Sequence, residues 1–348
     1  MSPGRPTLLD VARRAGVSRT TASFVLTGRR DMRISAEAEQ RVRQAARELS
    51  YRPNLMARAL RTRLTHTIGL VSDTIATEAF AGEMVRGAVA TALLHEHLLF
   101  IGETEGDAAV EKRVVQDMLD RGVDGFLYAA MYTRHARPPA VLRRHPVVML
   151  NCLPADPRTT AVVPDELDAG RTAARALLEA GHAEHIYLVG ETPPEVYAGT
   201  QRLAGIRECL SQQGTALAGS VDCLWWPEPA YAAVRQLLAE DHRPSALICL
   251  NDRVAFGAYQ ALQEAGLSIP VDVSVVSFDD SDLASWLRPQ LSSVALPHLE
   301  LGRRAVELLL AEHLDGGVEH VRMPLRDRAS VAAPAARRGG TRAGRPHR

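Results

Sequence analysis

Along the first fifty residues the apolar positions recur at helical spacing. Leu9, Val11 and Ala12 mark one side of a helix over 8–15, with Thr7 placed to cap it and Gly16 to break it. Ser18 then offers its hydroxyl as the N-cap of a second helix, from 19 to about 26. Ala12, Val17, Ala22 and Val25 can pack the two helices across a short turn. A third helix, capped by Ser35 and running to about residue 49, carries Ala38, Val42, Ala45, Ala46 and Leu49 as its apolar stripe and completes a small core. The run A-x-x-A-G-V-S-x-x-T-x-S-x-x-L has the spacing of a helix-turn-helix. Its second helix opens with side chains able to reach base edges: Arg19, Thr20 and Thr21, then Ser23 one turn along.

Pro53 stops the third helix, and Asn54 can cap a short new one within Tyr51-Arg52-Pro53-Asn54-Leu55-Met56-Ala57-Arg58-Ala59-Leu60-Arg61-Thr62. A helix of about two turns is marginal in water by itself. It is expected to fold only against a partner, here DNA together with a second subunit.

Beyond this segment the pattern changes to alternating strand-like and helix-like stretches. A buried strand is predicted at 67–71 and further strands at 98–102, 125–128, 146–150, 186–189, 246–250 and 273–278, with another in the Trp225-Trp226 region. Helices are predicted at 84–94, 108–121, 166–180, 202–213, 230–240 and 254–265. Regular β-α alternation builds parallel sheets covered by helices on both faces. Two such halves imply two lobes, with a ligand cleft at the C-terminal ends of the strands. Asn151, Asn251, Asp252, Asp279 and Asp280 fall at those ends, and Arg202 opens a helix. A carboxylate, an amide and a guanidinium together accept and donate hydrogen bonds, which suits a polyhydroxyl ligand such as a sugar, and an aromatic ring can stack on its apolar face. For Asn251 and Asp279 the competing reading is capping of the next helix; for Trp225 it is a surface or interface position.

The 348 residues carry equal numbers of acidic and basic side chains, but not evenly. Residues 1–66 hold fourteen Arg against five acids, a net of +9; residues 67–330 carry −14; the last eighteen add five Arg and no acid. A basic head on an acidic body marks polyanion binding confined to one end. The four cysteines lie far apart without a C-x-x-C pair, which predicts reduced thiols rather than a metal site. There is no apolar run of eighteen residues and no apolar signal core at the N-terminus, so a cytoplasmic protein is expected.

The residues Asp10-Val11-Ala12, Ala15-Gly16-Val17-Ser18, Thr21, Ser23, Tyr51-Arg52-Pro53-Asn54 and Ala57-Arg58-Ala59-Leu60 closely resemble the LacI/GalR repressor family, and the likeness runs to about Ser330. The resemblance implies an α/β chain with a helix-turn-helix head and a two-lobed, periplasmic-binding-protein-like body. The domains implied are a DNA-binding head at 1–52, a hinge helix and linker at 53–66, and a body at 67–330. The N-lobe is expected at about 67–164 and 298–325, the C-lobe at about 165–297 and 326–334, and 331–348 as a disordered basic tail. DNA contacts are implied for Ser18, Arg19, Thr20, Thr21, Ser23, Phe24, Tyr51, Asn54, Ala57, Arg58 and Leu60, with Leu60 as the wedge that enters the minor groove of an operator bound by a homodimer. A core role for Leu60 is the alternative. Phe24 stands where the family often has Arg or His; it can touch a thymine methyl or simply pack. Effector contacts are implied for Arg202, Asn251, Asp279 and Asn151, with Phe80 and Trp225 as pocket walls. Leu296 replaces a polar residue of some members.

Other chemistries find little support. Asp279-Asp280-Ser281-Asp282 lacks a Gly-rich phosphate cradle or a Lys partner, no G-x-S-x-G elbow is present, and His95, His97, His182 and His185 lack zinc-ligand spacing. The expectation is a non-enzymatic, cofactor-free regulator. Its partners are a palindromic operator and a small-molecule effector, a sugar by the polar set; the alternative is control by a protein corepressor or a nucleobase. The tail lacks the heptad leucines of a tetramer bundle, which favours a dimer.

Overall fold

A computed structural model describes residues 6–26, 34–51, 64–75, 82–240 and 242–334. The chain divides into two units, residues 1–66 and 67–348.

The first unit holds α1 (Leu8–Ala15), α2 (Arg19–Leu26) and α3 (Ala36–Glu48), bounded by the residues expected to bound them. The Thr7 hydroxyl accepts from the Asp10 amide while the Asp10 carboxylate accepts from the Thr7 amide at 2.8 Å, a reciprocal capping box. Gly16 at φ +65° closes α1 in the left-handed region, Ser18 accepts from the Thr21 amide at 3.0 Å, and Ser35 accepts from Ala38 at 3.3 Å. The core is built from small side chains, Val11, Ala12, Ala15, Ala22, Val25, Val42, Ala45 and Ala46, with Leu8, Val17, Leu26, Ile34, Leu49 and Tyr51 packed around it. So small a core buries little apolar area. It is supplemented by polar ties: Arg14 pairs with Glu48 at 2.9 Å, and the Arg41 guanidinium donates to the Ala15 carbonyl at 3.1 Å.

In chain order the second unit contains β1 (Thr67–Ser72), α4 (Gly82–Leu94), β2 (Leu98–Glu103), α5 (Ala108–Asp120), β3 (Gly125–Ala129), β4 (His135–Ala136), β5 (Val147–Leu150), β6 (Leu153–Pro154) and β7 (Thr160–Pro164). Then follow α6 (Glu166–Glu179), β8 (Ile186–Val189), α7 (Tyr197–Gln212), β9 (Gly219–Val221), α8 (Pro227–Ala239), β10 (Ala246–Cys249) and α9 (Asp252–Glu264). The unit ends with β11 (Ser274–Asp279), α10 (Asp282–Trp286), β12 (Ser292–Ala295), α11 (His298–Leu309), β13 (Gly317–Val321) and β14 (Leu325–Arg326). One sheet has the order β13-β7-β5-β3-β1-β2, all parallel; the other has the order β14-β12-β11-β10-β8-β9, parallel except for β14. The short β4 and β6 pair with each other.

Each sheet is covered on both faces. In the N-lobe α4 and α11 bury one face around Leu70, Leu127, Leu150 and Leu301, and α5 the other around Val115, Met118 and Phe126. In the C-lobe α6 and α7 cover Leu188, Ile248 and Phe278, while α8 and α9 cover Val189, Leu247 and Val275. The chain passes between lobes three times, after β7, after β12 and after β13. Hydrogen bonds from Asp165 to the Val321 carbonyl (2.9 Å) and from Ala295 to that of Pro324 (2.8 Å) bind the crossovers together. The C-terminal ends of the strands of both sheets therefore converge on the crossovers.

Several sequence expectations are corrected. Arg202 does not open a helix at 202–213 but lies about one and a half turns inside α7, which starts at Tyr197. Leu9, placed on the apolar side of α1, is 45% exposed, that side being Val11, Ala12 and Ala15. The strand placed at Trp225-Trp226 is β9, at Gly219–Val221; Trp226 instead precedes Pro227, which opens α8. Strands β7, β12, β13 and β14 and helix α11 were not legible as separate elements. Residues 331–334 do not trail off: the buried His182 Nε2 lies 2.9 Å from the Ala332 carbonyl, Ala332 donates to Ser274 Oγ at 3.1 Å, and Val331 packs on the core. Residues 335–348, the rest of the expected tail, lie outside the described residues.

Candidate functional site

In the first unit, α2 buries Ala22 and Val25 against its neighbours, which turns Arg19 and Thr20 to solvent. Ser18 is also exposed, but its hydroxyl caps α2 and lies 2.8 Å from the Thr21 hydroxyl. Thr21, Ser23 and Phe24 are half-buried. Tyr51 packs against the head core and its amide donates to the Ala46 carbonyl at 2.8 Å. Asn54, Ala57, Arg58, Leu60 and Phe80 lie outside the described residues.

In the second unit the polar residues expected at strand ends are there, and the structure sorts them by what they already bind. Asn151, after β5, is buried at φ +54°; its amide nitrogen donates to the Ala130 and Met131 carbonyls at 3.0 and 3.1 Å, and its oxygen accepts from the Thr133 hydroxyl at 2.6 Å. Its amide hydrogens are thus given to the protein. Asn251 caps α9, accepting from the Val254 amide at 2.8 Å, and its nitrogen reaches the Trp225 carbonyl only at 3.5 Å. The capping alternative describes its oxygen. The Trp225 indole nitrogen donates to the Glu191 carbonyl at 3.0 Å, which fixes a half-buried ring.

Arg202 is the centre of the arrangement. It is 2% exposed, the largest of the fully buried side chains. Its Nε and Nη2 donate to the two oxygens of Glu166 at 2.7 and 3.1 Å, and Nη1 donates to the Leu250 carbonyl. The guanidinium carbon lies 4.5 Å from the Phe278 ring centre and 5.6 Å from that of Trp225. The remaining two N–H groups point to one oxygen of Asp279, at 3.4 and 3.5 Å. Those distances are long for a charge-assisted bond, which is about 2.7–2.9 Å. Glycines make the Glu166–Arg202 pair possible. A Cβ on Gly170 would lie 2.1 Å from the Arg202 carbonyl oxygen, and one on Gly205 would lie 2.0 Å from that of Leu167, so α6 and α7 touch backbone to backbone.

Asp279 is held at φ +102° and Asp280 at φ +54°, backbone conformations that cost of order 1–3 kcal/mol for a non-glycine residue. Their turn is pinned from three sides. Asp280 donates its amide to Ser293 Oγ at 3.0 Å and accepts from Arg328 at 2.6 Å, and the next amide, of Ser281, donates to Asp252 at 2.7 Å. Asp252 itself is buried, accepting from the hydroxyls of Ser277, Ser281 (2.8 Å) and Ser293 (2.8 Å). Burial pushes the Asp252 carboxyl up against those hydrogen bonds. Burial likewise pushes the Asp279 carboxyl up, to about 7, although the Arg202 guanidinium pulls the other way. His298, at the crossover into α11, is held uncharged by burial, down to about 4. On the N-lobe side, Asp73 after β1 accepts from the Met131 amide (2.9 Å) and pairs with Arg134 at 3.1 Å.

Glu166, Phe278, Asp73 and His298 were not among the residues singled out from the sequence. Asp252 was noted at a strand end, but nothing local marks it as the anchor of three serines on β11, α10's cap and β12. Among the described residues no group of three or more His, Cys, Asp or Glu is set to hold a metal ion, and no helix is long and apolar enough to cross a membrane.

Comparison with known proteins agrees with this geometry. Residues 7–54 match the family of bacterial regulatory proteins, lacI family, and residues 174–331 match a periplasmic binding protein-like domain. The chain is 33% identical over 309 residues to the Escherichia coli ribose operon repressor, covering 87% of this chain and 92% of that one. It is 31% identical over 315 residues to the transcriptional repressor PurR of Vibrio atlanticus, covering 87% and 91%. Among solved structures, the lac repressor dimer bound to operator and an anti-inducer superposes with a TM-score of 0.72 at 25% identity, over 95% of this chain and all of that one. With a head whose second helix presents Arg19 and Thr20, and a body of two parallel sheets joined by three crossovers, the chain belongs to the lacI family of bacterial regulatory proteins and is a transcriptional repressor rather than an enzyme.

Proposed function

We propose that this repressor binds a palindromic operator as a homodimer and that a small polyhydroxyl molecule, a sugar, in the cleft between the lobes controls that binding. The observation that carries the sugar reading is the Arg202–Asp279 spacing of 3.4–3.5 Å. A hydroxyl is both acceptor and donor, so one ligand hydroxyl can accept from Arg202 and donate to Asp279, replacing two poor hydrogen bonds by two good ones. A nucleobase carbonyl can accept but not donate. The likeness to PurR nevertheless keeps a nucleobase as the second reading. The half-buried Trp225 ring supplies an apolar wall, and the convergence of the strand ends on the crossovers links ligand contacts to lobe movement. Exposed apolar side chains support a second subunit: Leu98, Phe100 and Ile101 on the edge strand β2, and Trp226 and Trp286 on the C-lobe.

Operator binding is expected to need two subunits per site and to weaken steeply with salt as counterions are released from phosphates. Arg19→Ala is expected to cost about 1–3 kcal/mol at the operator and to relax base preference. Leu60→Ala is expected to weaken operator binding far more than binding to random duplex, since the wedge acts only on a kinked site. Gel-shift titrations and circularly permuted bending probes measure both; unchanged bending in Leu60→Ala removes the wedge role.

Calorimetric titration of sugars and nucleobases tests the cleft. Asp279→Ala is expected to lose ligand affinity roughly ten-fold or more while operator affinity stays near the parent's. The pH dependence has a definite sign. A carboxyl at about 7 is increasingly protonated as pH falls, and the neutral acid, with one oxygen turned donor and no charge, is a much weaker acceptor for a ligand hydroxyl. Ligand affinity is therefore expected to fall below pH 7, approaching about ten-fold per pH unit. Unliganded stability moves oppositely at this group: its ionisation is disfavoured by folding, so its contribution becomes less favourable as pH rises towards 7. Ligand affinity that is flat from pH 5 to 8 excludes Asp279 as the acceptor.

A further inference from the structure

We infer that Glu166 sets the charge class of the effector: by taking Arg202 for itself it closes the cleft to anionic ligands and reserves it for uncharged ones. The inference rests on the proposed cleft and deepens it. Arg202 has five N–H groups. Two go to Glu166, one to the Leu250 carbonyl, and two, loosely, to Asp279. Glu166 is 3% exposed and holds the guanidinium with both carboxylate oxygens, so the pair is electrically closed before any ligand arrives. What faces a ligand is then the carboxylate of Asp279 beside a cation already matched by another acid.

Two cations beside the strand ends are also engaged. Arg134 is paired with Asp73 at 3.1 Å, and Arg253 lies over the Trp226 ring at 4.5 Å. A phosphate or carboxylate group that accepted from the two Arg202 N–H groups facing Asp279 would lie against the Asp279 carboxylate, and to take the cation as its own counter-charge it would have to displace Glu166, leaving a buried carboxylate without its partner. A neutral hydroxyl demands neither. Glu166 is thus not a contact for the effector. It determines specificity through Arg202, and the closely packed helices that carry the two residues, joined at Gly170 and Gly205, keep it in place.

Thermal unfolding of the full-length protein in inorganic phosphate, against chloride at matched ionic strength, tests this. The variants are the parent, Glu166→Gln, Glu166→Asp and the double variant Glu166→Gln/Arg202→Met. Glu166→Gln uncovers the cation, so its midpoint is expected to rise with phosphate, by about 5–10 °C more than the parent's once phosphate reaches 100 times its dissociation constant. Glu166→Asp is expected to restore the parent's response. The double variant removes the cation and is expected to lose the extra response, which separates Arg202 from the basic head. Should Glu166→Gln fail to fold, as circular dichroism would reveal, Glu166→Ser takes its place. An equal phosphate response in parent and neutral variant, or an extra response that survives loss of Arg202, overturns the inference. A merely structural role for Glu166 would lower all midpoints without creating a phosphate dependence. The phosphate series is independent of the sugar titrations. Flat sugar titrations beside a gained phosphate response defeat the sugar reading and leave the role of Glu166 standing; the converse result defeats Glu166 alone.

Discussion

Arg202→Met is expected to destabilise the body by about 3–5 kcal/mol, because it strands the Glu166 carboxylate in a site from which water is excluded. The same change removes the donor to the Leu250 carbonyl at the end of β10 and the cation stacked between Phe278 and Trp225. The companion variant Glu166→Met/Arg202→Met tests the cause. Replacing both members of a buried pair by apolar groups of similar length removes the desolvation cost together with the attraction, so most of the loss is expected to return. Urea unfolding of the three proteins gives the comparison. If the double variant is as unstable as the single one, the loss comes from packing against Phe278 and Trp225 and not from the uncompensated charge.

Asp252→Ala is the second large effect. The carboxylate accepts from three serine hydroxyls and from the Ser281 amide, and it does so at 1% exposure. Removing it leaves several buried donors without an acceptor, each worth about 1–3 kcal/mol when unsatisfied, and the sum is limited by how far the serines can pair with each other. A loss of about 3 kcal/mol or more is expected. The functional consequence follows from position. Asp252 holds Ser281, and Ser293 holds the Asp280 amide, so together they fix the left-handed turn on which Asp279 is presented. Ligand affinity is therefore expected to fall in Asp252→Ala even at temperatures where the protein remains folded. Asp252→Asn, which keeps one acceptor oxygen, is expected to lie between the two. Calorimetry on folded samples measures it, and full ligand affinity in Asp252→Ala would dissociate the serine network from the effector site.

The contrast between head and body shows how far the residues alone carry the argument. The capping residues Thr7, Ser18 and Ser35, the break at Gly16 and, apart from the exposed Leu9, the apolar faces of three helices were legible, because each depends on neighbours within four positions along the chain. The same holds for most strands of the body, whose apolar runs are short and bounded. It fails at β9, where Trp225 and Trp226 imitate a strand signal although they belong to the loop before α8.

Local patterns were enough to show that the chain has a basic DNA-reading head, that its body is a pair of parallel sheets, and that Asn151, Asn251 and Asp279 stand at strand ends; Arg202, read as opening a helix, lies inside α7. These follow from charge along the chain, from periodicity and from short-range capping. What each of those residues is engaged with depends on contacts between distant parts of the chain. Asn151 and Asn251 give most of their hydrogen bonds to the protein, while Arg202 is shared between Glu166, 36 positions earlier, and Asp279, 77 positions later. The pairing depends on two glycines that let α6 meet α7 at backbone contact, and on a buried aspartate gathering serines from separate elements. Such contacts join groups far apart in sequence, and a buried charge is tolerable only where the fold supplies its partner, so no local pattern along the chain announces them.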